Sequence, residues 1–169
     1  MYISRRFTSR FKEIVIWVAY AAMGFGLAFV LSTFVLFGAI VQGNSMYGTI
    51  PPQSRVFGLR APFASSQHAR GDIIIMNSPT PQLFSDPVIK RIVGLPGEEI
   101  AILGGVVHIN GVPLDESYLT ESTQGDLAAI AIPDGHFFVM GDNRNNSRDS
   151  RYWGSVCVST IIGRILIYR

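Results

Sequence analysis

The sequence is poor in cysteine and in charge. Its single cysteine, Cys157, lies in Val156-Cys157-Val158, which leaves no partner for an intramolecular disulfide and predicts a buried, inert thiol. The three histidines, His68, His108 and His136, stand far apart in unlike surroundings, and no Cys/His cluster exists, so neither a metal nor another cofactor is expected. Charged residues make up 15% of the chain and net charge is +2. Apart from Arg5, Arg6, Arg10 and Lys12 the basic residues are scattered, so no nucleic-acid-binding face is expected.

Charge is missing altogether from Ile14 to Val41. As a helix rising 1.5 Å per residue, this run exceeds the roughly 30 Å hydrocarbon core of a bilayer. A cleaved secretory signal has an apolar core of about 7 to 15 residues, about half the length of this one, so the run reads as an uncleaved single-pass anchor. Four basic residues precede it, and the next charge after Glu13 is Arg55. Positive-inside asymmetry therefore predicts a cytoplasmic N-terminus at 1–13, a transmembrane anchor at 14–41 in contact with the lipid bilayer, and an extracytoplasmic domain at 42–169. The roughly 125 residues after the anchor suit one compact domain.

Beyond Val41, short apolar runs are broken by Gly, Pro, Asn and Asp, a pattern that predicts an all-β domain. Ile100–Leu103, Val106–Ile109 and Val112–Leu114 are separated by Gly104-Gly105 and Asn110-Gly111, dipeptides that supply the positive φ angles of two-residue hairpin turns. Further strands are expected at Arg55–Leu59, Asp72–Met76, Val88–Val93, His136–Met140 and Ile161–Tyr168, and loops at Thr80–Pro87 and Ser117–Asp126. Phe57, Leu59, Phe63, Leu83 and Phe84 fall in turn-like surroundings, where they either touch the bilayer surface or fill the core. No internal repeat or low-complexity tract is present.

Three polar features stand out against this background. Ser45 follows the apolar run in Gly43-Asn44-Ser45-Met46, Lys90 opens Lys90-Arg91-Ile92-Val93-Gly94-Leu95-Pro96-Gly97-Glu98, and a dense polar run extends from Gly141 to Arg151. A serine hydroxyl becomes a nucleophile only when a neighbouring base takes its proton. The histidines look unsuited, whereas a lysine serves if burial lowers its pKa by several units. Val88, Ile89, Ile92 and Val93 give Lys90 an apolar surround, although the local pattern equally admits a solvent-facing lysine. The polar run suits either a solvated loop or a rigid support in which Asp149 pairs with Arg151 and Ser147 hydrogen-bonds the Lys90 amine.

Taken in order, these blocks resemble the type I signal peptidases, membrane-anchored Ser/Lys serine proteases of the bacterial plasma membrane. Ser45-Met46 followed by Thr49 resembles the nucleophile box, Gly71-Asp72-Ile73-Ile74 a strand box, Lys90-Arg91 through Gly97-Glu98 the base box, and Gly141 through Arg151 the last box. The resemblance implies a mainly β fold: an N-terminal transmembrane helix followed by a compact catalytic domain without a large inserted β-domain. It further implies nucleophile Ser45, general base Lys90, orienting hydroxyl Ser147, and support from Asp149, Arg151, Asp142 and Arg144. Met46, Ile50, Val88 and Ile89 would line shallow apolar subsites. The implied partners are preprotein signal peptides with small residues at Ala-x-Ala type sites, bound as an added strand beside Val88–Lys90. Two positions depart from the family pattern. Gly48 replaces the proline of Ser-Met-x-Pro-Thr, which is expected to loosen the backbone past the nucleophile, and Gly43 stands where some members carry an oxyanion-binding serine. The competing readings are a Ser/Lys peptidase dedicated to one substrate such as a pilin or conjugation protein, a self-cleaving repressor, which the anchor disfavours, and a silent membrane-tethered β-domain.

Overall fold

The computed structural model describes residues 3–61, 68–80 and 86–169, with the backbone alone for 3–9 and 11. Contacts divide the chain into residues 1–36 and 37–169. The first unit is helix α1 (Ile3–Val30), continued by one π-helical segment at Leu31–Val35. Its 24 residues from Lys12 to Val35 are long and apolar enough to cross a membrane, spanning about 36 Å as a helix. The apolar run expected as one anchor over 14–41 is divided, because Leu36 turns extended (φ −101°, ψ 153°) and Leu36–Ile40 form strand β1. Hydropathy does not mark this boundary, since an apolar strand and an apolar helix look alike in composition.

The second unit is built of β-strands, as expected. A seven-stranded sheet has the order β1-β2-β11-β3-β4-β9-β10, with β2 at Arg55–Arg60, β3 at Ile73–Met76, β4 at Val88–Gly94, β9 at His136–Met140, β10 at Val156–Cys157 and β11 at Ile161–Tyr168. A four-stranded sheet has the order β7-β6-β5-β8, with β5 at Glu99–Leu103, β6 at Val106–Ile109, β7 at Val112–Pro113 and β8 at Leu127–Ala131. The turn glycines do what the sequence requires of them: Gly104, Gly105, Asn110 and Gly111 all have positive φ, and residues 99–113 form the expected meander.

Strands β4 and β9 are covered on both faces, and β9 is apolar throughout Phe137–Met140 for that reason. Val93, Phe138 and Met140 pack with Ile100, Ile102, Val107 and Ile132 on one side. Ile92, Phe137 and Val139 pack with Ile74, Met76, Val156 and Ile161 on the other. A third cluster joins Met46 and Ile50 to Val41, Val56, Ile73 and Ile165, fixing the segment that carries Ser45 against the sheet.

Some expectations are corrected. Phe57 and Leu59 lie within β2, matching the strand expected at Arg55–Leu59 and not the turn-like surroundings also read for them. Phe63, Leu83, Phe84 and most of the loop expected at 80–87 lie outside the described residues. Cys157 is half-buried rather than buried, because β10 is the last strand of its sheet. A hydrogen bond from the Ser159 hydroxyl at 3.1 Å pulls its thiol pKa below the ordinary value. Strand β8 was not anticipated; its alanines are poor strand formers in isolation and acquire their role by pairing with β5.

Candidate active site

Lys90 sits on β4 opposite Ile74, sharing its face with Val88 and Ile92 by the two-residue period of a strand. Both neighbours belong to or pack against the cluster of Ile74, Met76 and Val139, so the lysine stem is sheathed in apolar side chains and the residue is only 3% exposed. Its Nζ donates to Ser45 Oγ at 2.7 Å. Among the described residues Lys90 takes part in none of the ion pairs. Burial therefore dominates and lowers its pKa to about 8; the charge of Asp149 opposes the shift, and that of Arg151 adds to it.

Ser45 is presented by a tight turn. Tyr47 N–H donates to Asn44 O at 3.0 Å and Ile50 N–H to Met46 O at 2.8 Å. Asn143 clamps this turn from the polar run, its backbone N–H donating to Ser45 O and its Nδ2 to Asn44 O, each at 3.0 Å. Gly48 has a φ of +105°, a conformation closed to proline, whose ring fixes φ near −65°. At position 48 the turn takes a backbone conformation that proline cannot adopt.

The run from Gly141 to Arg151 is a braced structure and not a solvated loop. Asp149 receives Arg151 through two bonds of 2.8 Å and accepts from Gly141 N–H at 3.0 Å, as the expected pairing required. The partners of Asp142 and Arg144 come from elsewhere in the chain. Arg91 donates to both oxygens of Asp142 at 2.8 and 2.6 Å and stacks over the Tyr118 ring at 4.0 Å. Arg144 donates to both oxygens of Glu116 at 2.9 and 2.5 Å. Sequence reading missed Arg91, Glu116, Asn143 and Gly141 as site residues. Arg91 was detectable as a second cation beside the base, whereas no local signal marked Glu116.

Ser147 lies in the same cleft as Ser45 and Lys90, but its expected bond to Lys90 is not formed. Its Oγ is buried without a partner among the described residues, beside the Cα of Gly141. A Cβ at Gly141 would stand 2.3 Å from Ser147 Oγ and 2.4 Å from Ser45 O, so only glycine admits both serines here.

These residues belong to an open cleft of about 1010 Å³ lined by Ala39–Met46, Asp86–Lys90 and Asn145–Arg148, with Ile75 and Tyr152. Val88 and Ile89 are half-exposed on its wall and Met46 lies at its floor. Ile50 does not reach the cleft; it is fully buried in the cluster beneath, because the turn that exposes Ser45 points Ile50 inward. Strand β3 pairs with β4 from Val88 to Arg91, whereas β9 pairs only from Arg91 onward. One backbone edge of Val88–Lys90 is therefore left toward the cleft. Among the described residues no group of three His, Cys, Asp or Glu is placed to hold a metal ion.

The family model for signal peptidase, peptidase S26, matches residues 14–168. A probable signal peptidase I-2 of Synechocystis sp. is 37% identical over 145 residues, covering 83% of this chain and 66% of that protein. Signal peptidase I S of Bacillus subtilis is 33% identical over 156 residues, covering 85% of this chain and 81% of its own length. A crystal structure of a signal peptidase I from Enterococcus faecalis superposes with a TM-score of 0.51 at 34% identity, over 60% of this chain and 98% of that one. With its family match running from the apolar helix to the last strand, the chain belongs to the signal peptidase family, peptidase S26.

Proposed function

We propose that Ser45 is the nucleophile and Lys90 the general base with which this signal peptidase removes signal peptides from exported preproteins. The observation that carries the reading is the 2.7 Å Nζ–Oγ contact made by a buried lysine whose pKa falls to about 8. A neutral Lys90 accepts the Ser45 proton as Oγ attacks the peptide carbonyl, then passes it to the departing amine, leaving an acyl-serine. Water, deprotonated by the now neutral Lys90 Nζ, hydrolyses the ester, and the proton returns to Ser45 Oγ, restoring both groups. Buried Ser147 supports this cycle as a hydroxyl within the cleft, and the pairs Asp149–Arg151, Asp142–Arg91 and Arg144–Glu116 keep the cleft's end rigid.

The substrate enters as an added strand on the uncovered edge of Val88–Lys90. Val88, Ile89 and Met46 offer shallow apolar walls for small side chains of an Ala-x-Ala site. The segment Lys12–Val35 anchors the enzyme in the plasma membrane, with the basic N-terminus in the cytoplasm and residues 37–169 outside. Substrate and enzyme then share one bilayer, which raises their effective concentration.

The test is cleavage of a preprotein with an Ala-x-Ala site by the detergent-solubilised full chain, beside Ser45→Ala and Lys90→Ala. Both variants are expected to lose cleavage while retaining the β-sheet circular dichroism of the parent. Retained cleavage in either would overturn the assignment.

A further inference from the structure

Four arginines belong to the base box and the last box, and three of them are committed. Arg91, Arg144 and Arg151 each chelate a carboxylate and are largely withdrawn from solvent. Arg148 differs: it is exposed, lines the same cleft as Ser45 and Lys90, and is in no ion pair among the described residues. The segments outside the described residues contain neither Asp nor Glu, so they offer it no carboxylate. Arg148 is thus a guanidinium lining the reaction cleft without an ion-pair partner among the described residues.

Its place along the cleft follows from the register. The chain leaves β9 at Met140, opposite Arg91, and Ser147, the neighbour of Arg148, packs against Gly141 beside Ser45, which puts Arg148 near the Lys90 end of the cleft. The opposite end is marked by exposed Asp86, which precedes the start of β4 at Val88 and also lines the cleft. An acyl segment paired with Val88–Lys90 leads back from Ser45 toward Asp86. The residues after the scissile bond then emerge at the other end, beside Arg148.

We infer that Arg148 is a specificity-determining residue that receives an acidic side chain from the first residues after the scissile bond, so that this enzyme favours preproteins whose mature N-terminus is acidic. The inference rests on the Ser45–Lys90 reading for the direction of the substrate. A guanidinium fork suits a carboxylate, and the open cleft makes the pair solvent-screened, hence modest and salt-sensitive.

The experiment uses peptides with one Ala-x-Ala site that differ only in Asp, Asn or Lys at the first, second or third position after the cut. The full chain in detergent is assayed for the Asp-to-Asn ratio of kcat/KM, a ratio that a purely structural effect of substitution leaves unchanged. At one of these positions the ratio is expected to be about fivefold, to fall to about one in Arg148→Gln, to invert toward Lys in Arg148→Glu, and to fade in high salt. A ratio of one at all three positions in the parent, or a ratio that survives Arg148→Glu, overturns the inference. So does an effect of Arg148→Glu that is equal for all peptides and appears only with anionic phospholipid vesicles, which would assign the guanidinium to lipid phosphate. Cleavage that persists in Ser45→Ala would instead sink the catalytic reading, so the two failures are distinct.

Discussion

Lys90 and Arg91 are consecutive residues of β4, both almost fully buried, and they differ in what faces them. Arg91 meets the two oxygens of Asp142; burial alone would lower its pKa, but the bond and charge of that carboxylate outweigh burial and leave it raised. Lys90, on the other face, meets a neutral hydroxyl, and burial wins, lowering its pKa to about 8. The strand thus holds a permanent cation for bracing next to a lysine that burial makes ready to lose its charge, as the proposed base must. The difference teaches that the low pKa of Lys90 depends on withholding a paired carboxylate, since a paired lysine would stay protonated.

The largest expected effect comes from making the two faces alike. Lys90→Arg keeps size and charge but places a group that does not deprotonate beside Ser45, so kcat/KM is expected to fall by about 10³-fold, read in a preprotein cleavage assay. Substantial activity in this variant would break the comparison.

Removing the carboxylate from the other face acts on stability instead. Asp142→Asn leaves the Arg91 charge buried and uncompensated, at an expected cost of about 3–5 kcal/mol, seen as a drop in Tm of about 10 °C. Lys90→Met, which removes a buried charge without orphaning another, should leave Tm level or raised at neutral pH. Equal losses in the two variants would mean that the faces do not differ as described.

The pH dependence sharpens the same contrast. Lys90 titrates near 8 when folded and near 10.5 when unfolded, so between these values the unfolded chain binds more protons. Stability from this group is therefore absent below about pH 8 and grows to about 3 kcal/mol as pH approaches 10.5. The unfolding free energy of the parent relative to Lys90→Met should rise over that window, and cleavage should rise with a midpoint near pH 8. A flat activity profile from pH 5 to 10 would count against a lysine base.

The smallest effect concerns the turn that holds Ser45, which relies on backbone bonds and Asn143 rather than on an ion pair. Gly48→Ala forces a side chain into the left-handed region at a cost of about 1–2 kcal/mol, measurable by denaturant unfolding. Gly48→Pro is expected to cost more, despite matching the family pattern, because φ at this position is +105°.

Much of this was legible in the chain. The meander from Glu99 to Pro113 was readable because Gly104-Gly105 and Asn110-Gly111 encode their turns locally. Ser45 and Lys90 were readable as a pair only through the order of their motifs, and the Asp149–Arg151 pair only as one of two readings of a dense polar run. Strand β1 was hidden inside an apolar run, and Ile50 was misplaced in the cleft because apolar character does not say which way a turn points.

The sequence by itself determined an apolar N-terminal span, a β-rich remainder, the hairpin turns and the residue types of the reaction, because these depend on composition and on the backbone preferences of neighbouring residues. Tertiary structure alone decided that Arg91 rather than Lys90 receives Asp142, that Glu116 closes on Arg144, that Gly141 admits both serines, and that Arg148 lines the cleft without an ion-pair partner among the described residues. Each of these depends on groups brought together from distant parts of the chain, and both desolvation and Coulomb energy are set by that three-dimensional surround.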